Sequence, residues 1–212
     1  MFNIITNTIE KELFYKGDLI LKYKINYPSI HTSKCKLLNF NIFNFNLAIE
    51  QEKYVTNTLF REAVQTYEYN LSNGYPIMVY ELIYDYTITY NENNIISLYF
   101  DNYIFSGGAH GSTTRTSQNW NMLYGNQFTL DKLFPDNPNY LINILQNINK
   151  QIEENIQSGN GQYFDNYCKL VLETFNTQNF YILSDSLFAI YFQQYDIAPY
   201  SSGIPVFEIN YK

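Results

Sequence analysis

The sequence predicts an α+β fold: mostly antiparallel sheets with packed helices, arranged as two intertwined subdomains. Three observations predict it. Several stretches alternate apolar and polar residues, others repeat apolar residues at helical spacing, and the two kinds follow one another irregularly. The chain has 212 residues, 46% hydrophobic and 16% charged. That is enough for one sizeable core, or for two small modules sharing one. It also excludes disorder, which needs low hydrophobicity and high charge. No apolar run approaches the roughly 18 residues of a membrane-crossing helix.

Residues 1–30 read as strands. A short one covers Lys11 to Tyr15, Gly17-Asp18 turns the chain, and Leu19, Leu21, Tyr23, Ile25 and Tyr27 alternate along the next. Pro28 is expected to close it. Residues 40–72 read as helix, with Val55, Leu59, Ala63 (or Val64), Tyr67 and Leu71 on one face and Gly74 as the stop. Residues 77–90 and Ile95 to Phe105 form a hairpin around the turn Asn91 to Asn94. The loop Ser106 to Gly111 follows, then a strand over 112–124 ending in the turn Tyr124-Gly125-Asn126. Thr129 is placed to cap a short turn reaching Phe134. Asn137-Pro138 opens a helix with the stripe Leu141, Leu145, Ile148, Ile152 and Ile156, stopped by Gly159. A short helix covers Cys168 to Phe175. Strands follow at 180–184 and 186–193 around Ser184-Asp185, and the loop Tyr195 to Gly203 leads to a last strand, Ile204 to Tyr211. The subdomain boundary is expected near residue 100, giving segments 1–100 and 101–212, with the glycine-rich loop in the second.

Charge narrows the function classes. There are 13 Lys plus Arg against 20 Asp plus Glu, a net charge of −7, and Arg61 and Arg115 are the only arginines. Nucleic acid requires clustered Lys and Arg to displace phosphate counterions, and no such cluster occurs. Anionic membrane is disfavoured on the same ground. An acidic surface favours basic partners, or serves solubility alone. Cys35 and Cys168 lie far apart without a CxxC motif, so they form one disulfide or stand as free, partly buried thiols. The N-terminus lacks the basic and apolar regions of an export signal, which leaves a cytosolic protein or a trimmed ectodomain.

Catalytic and metal chemistry find few residues. The loop Gly107-Gly108-Ala109-His110-Gly111 lacks the Gly-Lys-Ser/Thr ending of a phosphate cradle. Its glycines serve a tight turn, a ligand contact, or both. His110 and His31 are the only histidines, so a multi-histidine zinc site is excluded; a mixed site with Asp101 or Asp196 stays conceivable. The main expectation for His110 is a hydrogen bond to loop backbone. Gly-x-Ser-x-Gly is missing, and the Glu153-Glu154 pair sits on a solvated helix face. No cofactor, metal ligand set or catalytic residue is therefore assigned. In the loop 195–203, Pro199 restricts the backbone. Tyr195 and Tyr200 are interface anchors, or core rings whose hydroxyls cap loop backbone. Arg115 is expected to pair with Asp101 or Asp196.

Three ordered stretches carry a family resemblance: Gly107–Gly111, Gly125–Phe134, and Asn179-Phe180-Tyr181 with Tyr195–Phe207. Together they resemble the C-terminal domain of the lysozyme-binding anti-sigma factor RsiV and the non-catalytic N-terminal region of the peptidoglycan deacetylase PdaC. The N-terminal half is similar to the companion module of that family. The resemblance implies an extracytoplasmic or cell-surface binding ectodomain. The expected partner is a basic protein such as lysozyme, docked on an acidic face. The expected binding residues are Gly107, Gly108, His110, Arg115, Tyr195, Pro199 and Tyr200. Peptidoglycan is the alternative partner. A hydrolase with a site around His110 and a structural protein are the remaining alternatives.

Overall fold

The computed structural model describes residues 1–211 and is 35% helix and 35% strand, an α+β fold as the sequence predicts. Six strands hydrogen-bond in chain order in one sheet, and three more form a second sheet. Contacts divide the chain into two units. One holds Phe2–Tyr86 and Phe100–Thr114; the other holds Met1, Thr87–Tyr99 and the chain from Arg115 onward. The chain passes between units inside three strands: β3 (Tyr80–Glu92), β4 (Ile95–Phe105) and β5 (Ser112–Asn121).

In the first unit, β1 (Ile4–Tyr15) and β2 (Asp18–Ile30) form an antiparallel hairpin. β1 starts at Ile4 rather than Lys11. The turn is Lys16-Gly17, with φ of 52° and 96°, one residue earlier than expected. Two consecutive positive φ values make the tight turn whose twist matches paired strands. Asp18 belongs to β2, and its carboxylate accepts the Tyr67 hydroxyl at 2.7 Å. Alternation holds along β2, with Leu21, Tyr23 and Ile25 buried and Lys22 and Lys24 exposed. Pro28 lies inside β2, opposite Thr6, rather than closing it. β3 joins the other side of β2 only over Leu21–Ile25, so a residue without an N–H is tolerated at 28.

β2 and β3 are parallel and therefore need a long crossover, which is helical here. α1 (Cys35–Tyr54) starts before the expected residue 40, passes through a π-helical turn at Val55–Leu59, and continues as α2 (Phe60–Asn73). Gly74 stops it at φ 70°. Val55, Leu59, Ala63 and Tyr67 are buried as expected, but Leu71 is 54% exposed. A step of four overshoots a turn by about 40°. The wider π turn absorbs the first overshoot, but by residue 71 the face has rotated to water. Asn70 is buried there instead, donating to the Pro76 carbonyl at 3.1 Å.

In the second unit, β3 and β4 turn at Asn93-Asn94, both with positive φ (48° and 60°). β5 pairs with β6 (Asn126–Gln127). The Thr129 hydroxyl donates to the Asp131 carboxylate rather than capping backbone. α3 (Tyr140–Ser158) begins after a turn in which the Asn137 side chain accepts the Asn139 N–H, so Pro138 precedes the helix instead of opening it. Its buried residues are Ile144, Ile148 and Ile152; Ile156 is 45% exposed. α4 (Tyr167–Thr174) follows, then the antiparallel sheet of β7 (Phe180–Ile182), β8 (Leu187–Tyr191) and β9 (Val206–Asn210). The α3 isoleucines pack with Val171, Phe180, Phe188 and Phe207 in one core. A polar network runs into it. Ser97 Oγ donates to Asn119 Oδ1 at 2.7 Å, Asn119 Nδ2 donates to the Phe180 carbonyl at 2.9 Å, and the Ile182 N–H donates to Ser97 Oγ at 2.8 Å.

No disulfide joins the cysteines; both thiols are free and exposed, not partly buried as expected. The hairpin tip is clamped at Tyr90, whose hydroxyl donates to the Asp185 carboxylate, which also accepts Asn93 Nδ2 at 2.8 Å. Burial, then the Asp185 acceptor, pushes the Tyr90 hydroxyl up to about 12. An unfolded tyrosine ionises near pH ~10. Between those values only the unfolded chain has released this proton, so rising pH favours unfolding. Stability is therefore expected to fall from about pH 10 toward 12. Urea unfolding of Tyr90→Phe checks this: the variant should show a shallower decline than the parent.

Candidate functional site

The loop 193–203 is built around two buried residues. Ile197 and Ala198 are almost wholly buried, and the Ile197 carbonyl accepts the Phe164 N–H at 3.0 Å. Pro199 follows at φ −66°, and a 3-10 turn over Tyr200–Ser202 ends at Gly203, φ 67°. At the front of the loop the Gln193 N–H donates to Asp196 Oδ2 at 2.8 Å. Burial lifts the Asp196 carboxyl above the usual range, and this hydrogen bond partly opposes the lift. Tyr195 sits between them at φ 68°, a left-handed conformation that costs a bulky residue about 1–3 kcal/mol and persists only where its surroundings enforce it.

Anchoring the backbone inward leaves the rings outward. Tyr195 is 55% exposed, and its ring lies 5.9 Å from that of half-buried Tyr200, tilted by 33°. The reading of both rings as core residues does not describe Tyr195.

Arg115 meets this loop through Gln193, whose side chain takes the Arg115 N–H at 2.9 Å and returns a bond to the Arg115 carbonyl at 2.7 Å. The guanidinium lies over the Tyr99 ring, 3.7 Å from its centroid, and 5.8 Å from that of Tyr191. Both are cation–π distances. Arg115 thus reaches the turn that carries Asp196 through its backbone and Gln193. Arg115, Tyr195, Pro199 and Tyr200 all belong to the second unit, where the two rings meet and Arg115 is tied to the loop through Gln193.

Gly107, Gly108 and His110 belong to the first unit. Gly107 and Gly108 adopt φ of 97° and 90°, the turn role expected of them. His110 Nδ1 donates to the Gly111 carbonyl at 2.9 Å, a bond to loop backbone as expected. Gly111 is required for space: a Cβ there would meet Tyr103 ring carbons at 2.5 and 2.6 Å and the Ile104 carbonyl at 2.7 Å.

Beside the 3-10 turn lies a cleft of about 420 Å³. Segment 159–163 forms one wall; Ser201, Ser202 and Pro205 form the other. Ser202 Oγ donates across to the Gln162 carbonyl at 3.0 Å. Sequence reasoning missed Gln193 and this cleft entirely, since their partners are distant in the chain. The apolar pair Ile197-Ala198 just before a proline was the one legible signal of the loop's anchor. Among the described residues, no group of three or more His, Cys, Asp or Glu is gathered to hold a metal ion.

Residues 16–113 match the family model described as deacetylase PdaC, and residues 131–212 match that of a protein of unknown function, DUF3298. A solved structure of a DUF3298 family member from Bacteroides fragilis superposes with a TM-score of 0.71 at 16% identity. It covers 99% of this chain and 90% of that one. A DUF3298 family protein from Pseudomonas aeruginosa gives 0.62 at 14% identity, covering 99% and 91%. At these identities the likeness is one of fold. Among curated proteins none matches.

Proposed function

We propose that this chain is a non-enzymatic binding module of the bacterial cell-envelope type, acting outside the cytoplasm and docking a basic protein such as a lysozyme. The loop 195–203 is the contact. The observation that carries this reading is the ring pair of exposed Tyr195 and half-buried Tyr200 on a backbone anchored by Ile197 and Ala198. Large rigid rings on a pre-ordered loop give contact area at little entropic loss. The net charge of −7 supports a basic partner, because opposite charge speeds encounter. The likeness to RsiV rests on the motifs of residues 107–111, 125–134, 179–181 and 195–207.

Calorimetric titration with a basic c-type lysozyme, at low and moderate salt, tests it. One-to-one binding that weakens with salt is expected, and Tyr200→Ala, still folded, should bind at least roughly tenfold more weakly, as anchor truncations do. Absence of heat at both salts overturns the lysozyme reading. Unchanged affinity in the variant overturns the loop assignment. A second reading, retention on peptidoglycan, is favoured by the uncharged cleft beside the loop.

A further inference from the structure

We infer that the cleft between segment 159–163 and the 201–205 strand entry is a subsite for a neutral saccharide. This rests on the second reading above and gives it a place, a ligand class and a selectivity. The lining supplies two side-chain amides, Asn160 and Gln162, three hydroxyls, Tyr163, Ser201 and Ser202, and the backbone of two glycines. It contains no Lys, Arg, His, Asp or Glu. Each kind of ligand meets this lining differently. An anionic or cationic ligand would be desolvated without a countercharge. A purely apolar ligand would strand amides and hydroxyls without partners. A sugar hydroxyl both donates and accepts, as amides and hydroxyls do, so it can satisfy them in either direction.

Size and rigidity agree with that chemistry. A volume of about 420 Å³ lies within the range of small-ligand clefts, about 300–1,000 Å³. The walls are held before any ligand arrives. Ser202 bonds the Gln162 carbonyl across the cleft, Phe164 bonds Ile197 behind it, and Asn155 Nδ2 bonds the Tyr163 hydroxyl at 3.1 Å. Gly161 lets the chain pass close to Tyr163, since a Cβ there would lie 2.7 Å from the ring. A site held this way loses little entropy on binding. Tyr200 adjoins Ser201 in sequence, so the Tyr195–Tyr200 ring pair stands on the same loop that forms one wall.

The test is titration of the isotope-labelled chain with triacetylchitotriose, a neutral N-acetylated trisaccharide, and separately with trigalacturonate, an anionic one, followed by amide chemical shifts. Saturable shifts centred on Gln162 and Ser202 are expected for the neutral sugar and none for the anionic one. Gln162→Ala and Ser201→Ala remove exposed side chains and should retain the parental melting temperature while binding roughly tenfold more weakly. No shift at millimolar neutral sugar overturns the inference. Equal binding of the anionic sugar overturns the selectivity. Saturable shifts that both variants leave unchanged overturn the cleft assignment, and glycan binding would then belong to another surface. Lysozyme titration of Gln162→Ala keeps the two readings apart, because affinity there is expected to be unchanged.

Discussion

Gly111→Ala should destabilise the chain by about 3 kcal/mol, the upper end of what overpacking costs in a close-packed site. The added methyl has nowhere to go. Two of its three nearest neighbours are Tyr103 ring carbons at 2.5 and 2.6 Å, and the third is the Ile104 carbonyl oxygen at 2.7 Å. A ring can swing aside, but the carbonyl is backbone within β4, so relief requires the strand end to move. Gly108→Ala is the matched control. A Cβ at 108 meets nothing within 4 Å, but φ is +90°. Its effect is strain alone, about 1–2 kcal/mol. Urea unfolding of both variants should rank Gly111→Ala clearly below Gly108→Ala. The reverse order would mean that conformation, not contact, makes glycine necessary in this loop.

The same loop shows what sequence can reveal. Glycines at 107 and 108 signal positive φ because no other residue reaches it freely, so their turn role was legible. Gly111 carried no such signal, because its need arises from a neighbouring ring and carbonyl that only the folded strand brings there. Regular elements were legible for a related reason. Alternation along Leu21, Tyr23 and Ile25 reflects one buried sheet face, and that face is set by the residue period. Leu71 and Ile156 mark where the helical period stops tracking the core. Each lies near the C-terminal end of its helix, where a stripe ending in successive steps of four has rotated off the core. Pro28 was misread because its tolerance depends on where β3 stops pairing, which β2 alone does not encode.

The candidate site was half legible. Proline and two tyrosines marked the loop 195–203, but not which way its parts face. Ile197 and Ala198 pull the backbone inward, and Tyr195 is thereby turned out at φ 68°. Gln193 was invisible, since a glutamine gains its meaning only by meeting the Arg115 backbone. Composition foretold an acidic chain, yet the cleft beside this loop carries no ionisable group other than a tyrosine. Net charge describes how a partner approaches; the local lining decides what stays.

Asn119→Ala is expected to cost about 3 kcal/mol, because it takes the side-chain donor from the buried Phe180 carbonyl and the acceptor from the buried Ser97 hydroxyl. Asn119 is 3% exposed and Ser97 fully buried. The amide accepts the Ser97 hydroxyl and donates to the Phe180 carbonyl, while Ser97 also accepts the Ile182 N–H. One side chain thus joins β4 and β5 to β7. Asn119→Asp separates the two roles. An ionised carboxylate still accepts from Ser97, but it sets an oxygen against the Phe180 carbonyl in a buried place. Burial and that carbonyl raise its folded pKa, so the variant should gain stability as pH falls and the carboxyl can donate again. Ser97→Ala combined with Asn119→Ala should destabilise by less than the sum of the single effects, since both remove the same hydrogen bond. Chemical denaturation of the four chains checks this. Strict additivity would mean that Ser97 and Asn119 support β7 independently, rather than as one network.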